Sequence, residues 1–331
     1  MTCRQIGCAS HDTDPLPQSV FHRGQSKFPF SSTSLGRLAV FLAVLLQAIG
    51  KVAYGTWLAD FPSPLFVLVS SVLTAAFFLG SSRQGVGGPA WKPLLLLNTS
   101  TALTFLCFFY ALKLIEPAIV GAVEIGIGPI LAVFIAFWMT GARPSRRTLV
   151  VCVGILLGCA ILEVAAHQGS GFAVRSDDAW YGLAASLAAG FGAVTITVAS
   201  KSLAGHGWTF GAILAHRFYL ILPVSAVLSL NSEVAAIAWS GSLLIALCAV
   251  SVVSLLMPLY LLQVGIGRCD PYTVMVTMSA LPVITFILEG FSPVYSWSWL
   301  TATGLAITSF FVLLDVVAKN TVGPSGTMRH G

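Results

Sequence analysis

The chain has 331 residues, of which 56% are hydrophobic and only 9% charged, with a formal net charge of +5 and a mean hydropathy of +0.89. Soluble domains carry about 25% charged residues, so this chain cannot cover itself with a solvated surface and a large soluble domain is excluded. Its basic residues form no run, which argues against a nucleic-acid partner. The cysteines at 3, 8, 107, 152, 159, 248 and 269 lack CxxC spacing, so no disulfide framework, metal ligand set or cofactor is implied.

Residues 1–35 are polar, without the apolar core of a signal peptide, and are expected to form a disordered cytoplasmic tail. Apolar runs long enough to cross about 30 Å of hydrocarbon follow at 36–57, 64–82, 91–113, 117–140 and 147–166. Five more lie at 179–200, 208–229, 239–262, 271–291 and 297–318, and a second cytoplasmic tail is expected over 319–331. Backbone amides facing lipid must be paired, which leaves helices or barrel strands. Continuous Leu-, Ala- and Val-rich runs without polar alternation predict helices. The expected fold is an all-α integral membrane protein of ten transmembrane helices.

Orientation follows from lysine and arginine. Arg4, Arg23, Lys27, Arg37, Arg83, Lys92, Arg143, Arg146, Arg147, Lys201, Arg268, Lys319 and Arg329 all fall on one side of a ten-span arrangement. Lys113 and Arg175 fall on the other, while Lys51 and Arg217 lie within spans. Both termini are therefore expected to be cytoplasmic.

Tyr110–Ala111–Leu112, Glu116–Pro117, Pro129 and Gly154 have counterparts in Tyr260–Leu261–Leu262, Asp270–Pro271, Pro282 and Gly304 at similar intervals. This predicts a duplicated five-helix unit over 36–166 and 179–318. A unit with an odd number of spans starts and ends on opposite sides, so the second copy must be inverted. Inverted repeats are a usual basis of alternating access.

With Phe109–Tyr110–Ala111–Leu112, Pro117–Ala118, Gly128–Pro129 and the run from Gly154 to Gly158, and with Tyr260, Pro271, Leu281–Pro282 and Gly304 in the second copy, the chain resembles the EamA-type transporters of the drug/metabolite transporter superfamily. It departs from them where a Gly–Glu–Arg-like turn often follows the fourth helix of a repeat: here stand Gly141–Ala142–Arg143 and Ser292–Pro293–Val294. The resemblance implies a multi-pass secondary transporter of the bacterial inner membrane. It further implies an exporter of an amino acid or amino-acid-derived compound, with opine-type metal chelators fitting the same description.

Charged groups at bilayer depth cost roughly 2.5–3.5 kcal/mol each on insertion scales, so each is a functional candidate. Glu163, Glu289 and Asp315 lie near span ends and are expected to reach headgroups or water. Lys51 and Glu124 are deeper and are expected to pair. They read either as a transport site, where a solute bearing an amine and a carboxylate replaces either partner, or as a structural ion pair or a snorkelling Lys51. Arg217, mid-span, reads as a contact for a substrate carboxylate or as a tie between helices through backbone carbonyls. His216 beside it reads as packed or hydrogen-bonded.

Pro129 and Pro282 remove a helix hydrogen bond at matching places, making either flexing kinks or static bends. Tyr110, Tyr260, Gln263, Thr277 and Ser279 are candidates to line the same cavity, although isolated Thr and Ser commonly bond their own helix. Gly154 with Gly158, and Gly50 with Gly55, read as helix-packing sites. Trp180, Trp208, Trp239, Trp297 and Trp299 read as interfacial anchors.

No Walker A motif is present, so transport must draw on gradients, with Glu124 the candidate for proton coupling. The expected partners are a small-molecule solute and membrane lipid, with a homodimer left open. The rival readings are a membrane-embedded enzyme and a non-transporting membrane subunit. The first lacks HExxH or paired intramembrane Asp, and no catalytic residue is assigned.

Overall fold

The computed structural model describes residues 32–81, 87–141, 144–168, 176–230, 237–266, 268–269 and 271–321. Among them there is no strand. The first half comprises α1 (Ser32–Trp57), α2 (Ser63–Ser81), α3 (Trp91–Ala111), α4 (Pro117–Thr140) and α5 (Arg146–His167). The second comprises α6 (Ser176–Gly205), α7 (Phe210–Ala215), α8 (Ile221–Leu228), α9 (Gly241–Ser251), a π-helical turn (Val252–Leu256), α10 (Met257–Ile266), α11 (Pro271–Ser279), α12 (Leu281–Glu289) and α13 (Trp299–Thr321). Among the described residues seven helical stretches are long and apolar enough to cross a bilayer: Ser34–Trp57, Ser63–Gly80, Trp91–Ala111, Arg146–His167, Asp178–Gly205, Gly241–Ile266 and Trp299–Val317. Pro117–Leu131 and Thr273–Glu289 are shorter apolar helices. The chain is thus an all-helical, multi-pass membrane protein.

Helix bounds in the first half fall close to those the apolar runs predict, except that α1 starts at Ser32, inside the expected tail. The rest of both tails lies outside the described residues. The second half departs further, because two runs expected to be continuous are interrupted and a third carries a π turn.

The 208–229 run stops at Ala215 and resumes at Ile221. The 239–262 run carries the π turn. Pro258 follows it and has no N–H to give the Ser254 carbonyl, and Gly50 of α1 packs directly on the Ser254 backbone. The 271–291 run breaks at Ala280, just before Pro282, the second residue of α12. Pro129, its expected counterpart, lies inside an uninterrupted α4.

The packing follows a regular scheme. α1 lies against the π turn with α10 and against α11 with α12, while α6 lies against α3 and α4. α2 packs on α7 and α8, and α5 crosses α13. The closest crossings use small residues. Gly154 meets the ring of Phe311, Gly158 meets Thr308, and Gly304 meets Leu162. A side chain at any of the three would strike its neighbour, so glycine is what lets α5 and α13 touch. Near the C-terminal ends of α1 and α3 and the start of α2, Tyr54 packs on Phe66 and Phe109 with ring centroids 4.6 and 5.1 Å away.

Candidate functional site

Lys51 stands in the last two turns of α1, with its side chain 6% exposed. Its Nζ is 3.6 Å from Oε2 of Glu124 on α4, whose side chain is 19% exposed. The ammonium also lies over the Phe108 ring, 4.5 Å from its centroid, and has no hydrogen-bond partner among the described residues. Gly121, nearly one turn before Glu124, makes the room: a Cβ there would sit 3.2 Å from Nζ. The expected pairing of Lys51 with Glu124 is present, at ion-pair rather than hydrogen-bond distance.

Two more carboxyls lie at the same end of the bundle. Glu289, the last residue of α12, is 3% exposed and accepts the Ala118 N–H at 2.7 Å. Ala118 is the second residue of α4, where the amide has no intrahelical partner and the helix N-terminus favours a negative charge. Glu116, preceding α4, is buried and accepts the Thr301 hydroxyl of α13 at 3.4 Å. Nearby, the Thr56 and Ser292 hydroxyls are 3.1 Å apart. The Tyr295 hydroxyl abuts Gly55. Burial and the Glu289 carboxylate push that phenol up, so it stays protonated at neutral pH.

Glu289 and Asp315, expected to reach headgroups or water, are both instead buried within the protein. Glu116 was read only as a repeat marker ahead of Pro117. It stands at the N-cap of α4 but makes no side-chain cap bond there, the Ala118 N–H being taken by Glu289 instead.

Arg217 lies elsewhere, in the interruption between α7 and α8. It is 7% exposed, and its guanidinium lies 5.6 Å from the Phe105 centroid and 5.8 Å from that of Phe218. Its Nε has no hydrogen-bond partner among the described residues. The backbone around it is held by Asn98 of α3, which donates to the His216 carbonyl at 3.0 Å and accepts the Leu220 N–H at 3.3 Å. Nothing in the local sequence announces Asn98, because its partners are more than a hundred residues away.

His216 is hydrogen-bonded to the Tyr219 hydroxyl, as a packed histidine would be. Trp208, expected as an interfacial anchor, is instead buried, donating its Nε1–H to the Gly88 carbonyl at 3.1 Å.

The remaining candidates do not join these groups. Tyr110 and Tyr260 stand 46% and 44% exposed, Tyr260 edge-on to Phe77. The Thr277 hydroxyl donates to the Thr273 carbonyl of its own helix at 2.8 Å, and Ser279 likewise to Val276 at 2.7 Å. Gln263 and Pro129 are half-buried, and Pro282 is buried. A cleft of about 490 Å³ opens beside Thr56, Asp60 and Leu243, next to the Thr56–Ser292 contact, and neither Lys51 nor Arg217 lines it.

Residues 34–164, covering α1 to α5, match the EamA-like transporter family, which is the drug/metabolite transporter superfamily. No curated protein matches the chain in sequence. Among solved structures, one described only as "Crystal structure of protein" shares the fold at a TM-score of 0.60 with 20% identity. The alignment covers 88% of this chain and 99% of that one.

Proposed function

Because residues 34–164 are an EamA-like unit of the drug/metabolite transporter superfamily, we propose that the chain is a secondary transporter that exports a small polar metabolite across the bacterial inner membrane by alternating access. The solute class is an amino acid or amino-acid-derived compound, which includes opine-type metallophores. The observation that carries this reading is the buried Lys51–Glu124 pair. It is the arrangement a zwitterion can enter by offering a carboxylate to the lysine and an amine to the glutamate. A pair at 3.6 Å without a hydrogen bond gives up little when a solute replaces one partner.

The accompanying architecture is ten spans in two inverted five-helix repeats, with both termini cytoplasmic. What supports it is that contacts in one half recur in the other with roles exchanged. Gly50 of α1 packs on Ser254, and Gly192 of α6 packs on Thr104. Thr104 and Ser254 stand equally far ahead of Tyr110 and Tyr260. Val40 of α1 meets Gly265, while Gly182 of α6 meets Ile115, and these four stand at equivalent positions as well. An odd number of spans per unit then forces inversion, and two such halves can exchange which side of a central site is open.

Comparing small molecules inside and outside cells with and without the gene tests the proposal. The exported solute should accumulate inside null cells. Glu124→Gln, present in the membrane at wild-type level, should fail to export it. An unchanged metabolite profile in null cells would remove the transport reading.

A further inference from the structure

The two buried cations differ in what neutralises them. Lys51 has Glu124, whereas Arg217 forms no ion pair and its Nε has no hydrogen-bond partner among the described residues. A buried charge without a partner is costly, and stacking on Phe105 and Phe218 offsets only part of that. Both rings lie within cation–π range of the guanidinium carbon, and the N–H groups of a guanidinium are what grips a planar oxyanion with two parallel bonds.

The backbone at Arg217 is unusual in the same way. Between Ala215 and Ile221 the helix is interrupted, and irregular backbone at membrane depth persists only where protein or a watered cavity surrounds it. Discontinuous helices of this kind carry the substrate sites of several transporter folds. Here one side chain from another helix, Asn98, 4% exposed, satisfies the freed groups on both sides of Arg217. A third bond, from Asn98 to the Leu94 carbonyl at 3.0 Å, fixes the amide itself to α3. α3 thus carries both the clamp and the ring under Arg217. Phe108, a turn beyond Phe105, lies under Lys51.

We infer that the interruption between α7 and α8 is a binding half-site for an oxyanion of the solute, a carboxylate or a phosphate, with Arg217 as its receptor and Asn98 as the residue that positions it. The inference rests on the transporter reading, and it restricts the solute to anions and zwitterions. A purely cationic solute is refused.

The test uses the full-length protein purified in detergent, with succinate, inorganic phosphate and the diamine cadaverine as probes. Binding is read from the thermal unfolding midpoint and from the rate at which phenylglyoxal modifies Arg217, followed by peptide mass. Succinate or phosphate should raise the midpoint and protect Arg217, and whichever does so identifies the oxyanion. Cadaverine should do neither. Arg217→Gln should weaken binding of that anion about tenfold to a hundredfold, the worth of a charge-assisted bond, and Arg217→Lys should restore part of it. Should the Gln variant fail to fold, protection in the wild-type protein decides alone.

Absence of protection by either anion overturns the inference, as does undiminished binding by a folded Arg217→Gln. The two readings fail separately. An exported metabolite with no oxyanion would sink the half-site and leave transport standing. Protection of Arg217 beside an unchanged cellular metabolite profile would do the reverse.

Discussion

Removing either member of the Lys51–Glu124 pair should destabilise the protein unequally, and removing both should not. At 3.6 Å and an effective dielectric near 20, the attraction is about 4–5 kcal/mol before desolvation is subtracted. The net worth of the pair is smaller, so what matters is the charge left behind. Glu124→Gln strands an ammonium whose side chain is only 6% exposed, and stranding a buried charge costs about 3–5 kcal/mol. The loss is capped at about 4–5 kcal/mol, because beyond that an ordinary lysine would give up its proton at pH 7. Lys51→Met strands a carboxylate that is 19% exposed, which water reaches, so about 1–2 kcal/mol is expected. The double variant leaves no charge and should fall within about 1 kcal/mol of wild type. Unfolding in mixed micelles by titration with a denaturing detergent, followed by tryptophan fluorescence, closes the cycle. Equal losses in the single variants, or losses that simply add in the double, would refute the argument.

Two further outcomes follow from polar and steric matching between helices. Asn98→Leu leaves the His216 carbonyl and the Leu220 N–H unpaired inside the protein, and at about 1–3 kcal/mol for each group the loss should be about 2–6 kcal/mol in the same unfolding assay. Gly158→Leu drives a side chain into Thr308 of α13 and should cost about 1–3 kcal/mol or more. Thr308→Gly in that background should recover part of the loss, whereas Thr301→Gly, elsewhere on α13, should not.

The sequence was most informative where the physics is local. Uninterrupted apolar runs starting at 64, 91, 117 and 147 sufficed to place α2 to α5 to within a residue at their starts, since length and hydropathy decide whether a segment spans. The pairing of Lys51 with Glu124 was also legible, from depth alone. The interruption at His216 was hidden because it is stabilised from α3, and no rule of periodicity links Asn98 to Leu220. The π turn was hidden for the same reason, since Pro258 marks a weak point but Gly50 on another helix adds the close backbone contact there. Glu289 sits near a helix end, but that end lies against the start of α4 rather than in water, and its carboxyl accepts the Ala118 N–H there. Asymmetry between Pro129 and Pro282 was unreadable too, as identical residues at matching positions leave one helix whole and the other divided.

The crossing of α5 with α13 has a property that reaches beyond stability. Gly158 faces Thr308, its own counterpart, while Gly154 receives an apolar side chain from α13 and Gly304 receives one from α5 in return. Each surface is therefore both donor and acceptor of the same bumps and hollows, as in a dimer whose subunits meet through identical patches. A five-helix unit carrying that one patch would be complementary to a second copy of itself, so the seam asks for no other matching surface.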